Sequence, residues 1–207
     1  MAIRGVIFDF GGVIHNMRWD VAHELEREHR LERNTLVRTL YDSDEWREVQ
    51  VGRGDVQAWR ESAQQRLEAA AGRSLPPLHE QWHERWGLIS ENVELVRALR
   101  PPYRLAVLSN ADATLEDRIR DGLGIYDLFD EVICSAVVGL AKPDAAAYRL
   151  AAERLGLKTE ECVFIDDTKP NVAGAQEVGM AAIHYRVDRG DNLAAQLAEL
   201  GVRPETS

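Results

Sequence analysis

Cysteine is scarce in this chain of 207 residues. Cys134 and Cys162 are the only two, they stand far apart, and neither has a C-x-x-C partner. That excludes a disulfide scaffold and leaves two buried thiols in a reducing compartment. Long apolar runs are absent as well: no window approaches the roughly 18 apolar residues of a membrane span. The N-terminal apolar stretch is short and is interrupted by Arg4 and Asp9. No signal peptide is expected, and the location read from this is cytoplasmic. Positive charge is in deficit, with 25 Lys and Arg against 35 Asp and Glu, for a net charge of −10. Such a surface disfavours nucleic acid and anionic membranes, although a local basic pocket could still hold an anion. Internal repeats and low-complexity segments are missing too.

The residues that are present fall into two textures. Residues 3–8 form a short β-branched run, apolar on both faces, as in a buried parallel strand. From about Trp19 to Gly87, charges alternate with Leu, Val and Trp at helical spacing. This predicts several helices, broken by glycine turns at 52–54 and 72–77. Beyond, strands at 104–109, 131–135, 162–165 and 181–185 alternate with helices at 112–122, 143–155, 170–178 and 191–200. Asp112 and Asp191 read as N-caps, and Pro143 and Pro170 as first-turn prolines. The rhythm predicts an α/β fold, a Rossmann-like parallel sheet flanked by helices. The all-helical block, residues 16–87, is then an insertion into a core built from residues 1–15 and 88–207.

In open α/β sheets, ligands bind beyond the carboxyl ends of the strands. The first strand ends in Asp9 and the next in Ser109-Asn110. Lys142-Pro143 follows the third, and the fourth ends in Asp166-Asp167. Carboxylates crowded at one sheet edge repel one another and call for a cation. Hard oxygen donors without nearby cysteine favour Mg²⁺. Lys142 and the backbone N–H groups at helix starts could hold an anion. A divalent cation beside an anion site, with a carboxylate aimed inward, describes phosphoryl transfer to aspartate.

The stretches Asp9-Phe10-Gly11-Gly12-Val13-Ile14, Leu108-Ser109-Asn110, Lys142-Pro143 and Phe164-Ile165-Asp166-Asp167 resemble the four ordered motifs of the haloacid dehalogenase superfamily. The helical insertion looks like that family's small cap. The resemblance implies that Asp9 is the nucleophile and that Mg²⁺ is held by Asp9, the Gly11 carbonyl, Asp167 and Asp166, the last directly or through water. Ser109 and the Asn110 amide would hold phosphate oxygens, and Lys142 would neutralise charge between nucleophile and phosphate.

One departure matters. Phosphatases of this superfamily typically carry an aspartate two residues after the nucleophile, as general acid and base. This chain has Gly11 there, and general acid–base help is worth about 10²–10⁴-fold. The glycine resembles the branch that includes α-glucose-1-phosphate phosphatases, so the expected activity is Mg²⁺-dependent hydrolysis of a small phosphorylated metabolite, with a sugar phosphate as first guess. The alternatives are a weak or silent phosphometabolite binder and a 2-haloacid dehalogenase. The second is disfavoured because dehalogenases typically present Ser and Asn in place of Asp166-Asp167. Gly11 and Gly12 would let the chain bend sharply after Asp9. A monomer or a homodimer fits equally well.

Several other residues carry two readings. His15 could replace the absent acid or simply sit at the hinge of the cap. Asn171 could hydrogen-bond Asp167 or Lys142, or cap its helix. His79-Glu80-Gln81-Trp82-His83 matches the H-E-x-x-H zinc pattern, but it lies in the insertion without a third ligand and reads better as a packed cap helix. Trp46, Trp59, Trp82 and Trp86 read as the core of a small bundle, and Arg53 as a turn residue or a substrate contact.

Overall fold

The computed structural model describes residues 2–205. Strand β1 (Gly5–Phe8) runs through a glycine turn into the two-residue β2 (His15–Asn16). Five helices follow: α1 (Trp19–Glu28), α2 (Thr35–Tyr41), α3 (Asp44–Val49), α4 (Val56–Ala71) and α5 (Leu78–His83). Strand β3 (Gly87–Leu88) returns antiparallel to β2, His15 opposite Leu88. These two strands tie the entry and exit of the helical block together, and at two residues each they are too short to leave a periodic signal. The remainder alternates: α6 (Ser90–Ala98), β4 (Arg104–Ser109), α7 (Leu115–Asp117), β5 (Glu131–Cys134), α8 (Ser135–Val138), α9 (Ala145–Arg154), β6 (Cys162–Asp166), α10 (Lys169–Glu177), β7 (Ala181–His184) and α11 (Leu193–Glu199).

The sheet has the order β5-β4-β1-β6-β7, and every pair is parallel. Because β1 is central and buried on both faces, it reads as a continuous apolar run. Val6 and Phe8 pack into one core with helix residues Val93, Val96, Leu115 and Leu193, while Ile7 packs into the opposite core with Ala147, Tyr148 and Ala175. Register then sets the site: Phe8 is level with Val107 and Ile165, so Asp9, Ser109 and Asp166 emerge together at one edge.

The helical block has its own core, which includes Leu36, Leu40, Trp46, Trp59, Leu67 and Trp82. Capping explains two of its helix starts, with Ser43 accepting from the Trp46 amide and Asp55 from the Ala58 amide. No helix among the described residues is long and apolar enough to cross a membrane.

Several local expectations shift. Asn192, not Asp191, caps α11, by accepting from the Ala195 amide, while Asp191 accepts from the Arg186 amide instead. Asp144 caps α9, so Pro143 lies outside it, joined to Lys142 by a cis peptide. The expected helix at 112–122 is a single α-turn followed by a π-helical turn, Arg118–Gly122.

Candidate active site

Asp9 leaves β1 with its amide bonded to the Ile165 carbonyl at 2.8 Å. The chain then folds back: the Ile14 and His15 amides donate to the Phe10 carbonyl, and the Gly12 amide to the His15 carbonyl. The Gly11 carbonyl takes no part in this turn. The two glycines differ in kind. Gly12 has φ +80°, and a Cβ there would lie 2.4 Å from Asp167 Oδ2, so backbone and site both require glycine. Gly11 lacks a positive φ, and a Cβ there would meet only the flexible Met17 side chain, with Sδ at 3.3 Å. The sharp bend therefore belongs to Gly12.

Lys142 is the hub. Its Nζ lies 2.8 Å from Asp9 Oδ1 and 2.7 Å from Asp166 Oδ2, and its side chain is 1% exposed. Asn110 positions it: the Asn110 side chain donates to the Lys142 carbonyl and accepts from the Lys142 amide, both at 2.8 Å. That amide group is thus occupied in bracing the lysine. Asp166 is fully buried and accepts from the Thr168 amide, from Lys142 Nζ and, at both oxygens, from Asn171 Nδ2. Asn171 therefore bonds Asp166, and neither Asp167 nor Lys142. Tyr148, which shows no surface signal in the sequence, steadies it by donating to the Asn171 carbonyl at 2.7 Å.

One oxygen each of Asp9, Asp166 and Asp167 lies within 4.8 Å of the others. Burial pushes the Asp9 carboxyl up to about 8, against the pull of Lys142 and with added repulsion from Asp166 and Asp167. Burial and the Asp166 charge push Asp167 up to about 6. Burial opposes the charge on Lys142, yet Asp166 and Asp9 hold its pKa above the ordinary lysine value. One ammonium among three acids leaves excess negative charge in a dry site, and an all-oxygen donor set suits a hard divalent cation.

Ser109, buried at the end of β4, lines the same cavity of about 800 Å³ as Asp9, Gly11, Asn110, Lys142 and Asp167. His15 lines it too, stacked on Phe10 at 5.2 Å. Burial, Arg118 and His83 push His15 down to about 4, so near neutral pH it is uncharged and holds no extra proton to give. Arg53 pairs with Glu48 at 2.8 Å and does not line the cavity. His79 and His83 do line it, one residue on from the buried Leu78 and Trp82 and so on the flanking face of α5. Among the described residues, no third metal-binding side chain joins them. Sequence reasoning also passed over Tyr41, Arg60 and Arg118 as cavity residues.

A parallel sheet with this acidic edge and a helical block above it defines the architectural class. The model of the haloacid dehalogenase-like hydrolases matches residues 3–179, and the chain belongs to that family. It is 38% identical over 112 residues to Phosphatase MT3486 of Mycobacterium tuberculosis, covering 52% of this chain and 51% of that protein. The chain thus matches about half the length of that relative. A predicted HAD-like family hydrolase from Porphyromonas gingivalis superposes with a TM-score of 0.69 at 25% identity, covering 97% of this chain and 98% of its own. A HAD family enzyme from Bacteroides thetaiotaomicron, solved as an Asp12Ala mutant in complex with magnesium and inorganic phosphate, shares the fold. Its TM-score is 0.69 at 18% identity, over 94% of this chain and 99% of its own.

Proposed function

We propose that this chain is a Mg²⁺-dependent phosphatase acting on a small phosphorylated metabolite, a sugar phosphate among the candidates, through an aspartyl-phosphate on Asp9. The observation that carries this reading is Lys142 Nζ seated between Asp9 and Asp166, with Asp167 converging on the same point. The phosphatase relative and the magnesium-and-phosphate complex of a structural neighbour agree with it.

Asp9, the Gly11 carbonyl and Asp167 would hold the cation, with Asp166 reaching it through water because its own oxygens are already engaged. When bound, the cation supplies Lewis-acid charge that keeps Asp9 ionised and offsets the phosphate. An Asp9 oxygen then attacks phosphorus in line as the ester oxygen departs with its electron pair. Lys142 stays protonated and neutralises the transferred group, and Ser109 orients its oxygens. Water next attacks phosphorus, returning the Asp9 carboxylate and inorganic phosphate. No side chain at position 11 protonates the departing oxygen, so esters with stable leaving anions are favoured. The helical block acts as a cap that excludes water.

The test is phosphate release from a panel of phosphorylated metabolites, with Mg²⁺ and with chelator. Wild type releases phosphate only with the cation, and Asp9→Asn releases none. Equal release by the two proteins would overturn the reading.

A further inference from the structure

The cavity extends far beyond what a phosphoryl group and a three-carbon alcohol would fill. Asp9, Ser109, Lys142 and Asp167 form one end. The other end is walled by rings, including Tyr41, Trp46, Trp59, His83 and Trp86. Trp86 and His83 lie 4.5 Å apart between ring centres, and Trp86 also meets His15 edge-on at 6.0 Å.

Two buried donors of residues on this wall, Trp86 Nε1 and Arg118 Nε, have no acceptor among the described residues. Leaving a buried donor unmet forfeits the hydrogen bond it made to water. Arg118 stands at the start of the π-helical turn, a rare geometry that tends to mark functional positions, and no carboxylate lies within ion-pair distance of it among the described residues. Its charge acts on His15, His79, His83, Tyr41 and Asp112, which line the same cavity.

A small polyol phosphate would leave the rings wet. An isoprenoid chain would cover the rings but leave both donors dry and without an acceptor. A flat ring system with acceptor atoms satisfies both demands, by stacking and by hydrogen bonding. Resting on the phosphatase reading above, we propose that the helical side of the cavity is a leaving-group subsite. Its substrate is a phosphate monoester of an alcohol that carries an aromatic or heteroaromatic ring bearing hydrogen-bond acceptors. The ring lies against Trp86, and Trp86 Nε1 and Arg118 Nε donate to its acceptors.

The test compares alkyl phosphates of similar leaving-group basicity, with pyridoxal 5′-phosphate and flavin mononucleotide against glycerol 3-phosphate, on the full chain with Mg²⁺. The ring-bearing esters are expected to give kcat/KM higher by about tenfold or more, the scale of one buried hydrogen bond plus stacking. Trp86→Leu and Arg118→Lys each lower the ring-to-glycerol ratio by about tenfold, mainly through KM; the lysine keeps the charge but loses the Nε–H. Calorimetry with riboflavin and pyridoxine, which carry no phosphate, reads the subsite without turnover. Binding that weakens in both variants supports the proposal, with circular dichroism checking that each variant is folded. Equal turnover of all three esters, or product alcohols that bind wild type and variants alike, would overturn the subsite and leave the phosphatase reading standing. Alcohol binding with no phosphate release from any ester would overturn the phosphatase reading and retain the ring site.

Discussion

Gly11 and Gly12 are neighbours with opposite constraints. At Gly12 the backbone is left-handed and a Cβ would press on Asp167 Oδ2 at 2.4 Å. Gly12→Ala should therefore lose about 1–2 kcal/mol of stability from the backbone alone. It should also displace Asp167, weakening Mg²⁺ binding in a calorimetric titration. At Gly11 only Met17 stands in the way, and an unbranched sulfur side chain can move aside. Gly11→Asp should thus fold and restore a carboxyl beside the departing oxygen. Its expected effect is a gain of about 10–10²-fold on alkyl phosphates with basic leaving groups, the lower part of the range for general acid catalysis. Little gain is expected on acetyl phosphate, whose leaving group needs no proton. An equal effect on both esters would show that position 11 does not face the departing oxygen. The sequence marks Gly11 as unusual, but only the backbone dihedrals distinguish a required glycine from a replaceable one. Asn110 is similar: its amide is visible in the sequence, but its occupation with the Lys142 backbone depends on a contact across 32 residues.

Among the elements, the central strands were the most legible. A strand buried on both faces leaves an apolar run that ends where the buried face ends, and so Asp9 and Asp166 stand out. Helix starts were less legible, because neighbouring polar residues such as Asp191 and Asn192 can both cap, and reach decides between them. The turn at 118–122 was not legible at all, since one inserted residue leaves composition unchanged while re-aiming Arg118. The contact between the helical block and the sheet is another case. Gly52, at φ +75°, sits against α8, and a Cβ there would lie 2.2 Å from the Ala136 carbonyl oxygen. Gly52→Ala should push the 50–54 turn off α8 and open the cavity. Gly72 supplies the control: it also has positive φ, +65°, but a Cβ there meets nothing within 4 Å. Both variants carry the dihedral strain, about 1–2 kcal/mol. Only Gly52→Ala should also speed proteolysis at the turn and raise KM. Matching behaviour of the two would mean that the Gly52 contact does not hold the block in place.

At the scale of the molecule, the acidic site couples stability to protons and, on the proposed reading, to a cation. Asp9 and Asp167 have folded-state pKa values pushed up to about 8 and about 6, above the ordinary carboxyl value that they regain on unfolding. Such groups bind more protons folded than unfolded, so without Mg²⁺ they make the protein more stable as pH falls from 8 toward 4. His15 and His79, each pushed down to about 4 chiefly by burial, act oppositely. Their contribution is complete above the unfolded histidine value near 6.5 and is lost as pH falls from there to about 4. In chelator, the melting temperature should therefore rise from pH 8 to about 6.5 and then level off or turn over. On the proposed reading Mg²⁺ would bind only the folded, deprotonated cluster, so its stabilising increment should be largest at pH 8 and shrink toward pH 5 as protons compete. Asp9→Asn removes one of three crowded negative charges while Lys142 keeps Asp166. At pH 8 in chelator this variant should melt above wild type, by about 2–4 °C for each kcal/mol of repulsion relieved, and it should lose most of the Mg²⁺ increment. Differential scanning calorimetry at pH 5, 6.5 and 8, with Mg²⁺ and with chelator, reads all of these. An Asp9→Asn protein less stable than wild type in chelator at pH 8 would mean that Lys142 binds Asp9 more strongly than burial and its acidic neighbours oppose it, and that no cation is needed to keep Asp9 charged.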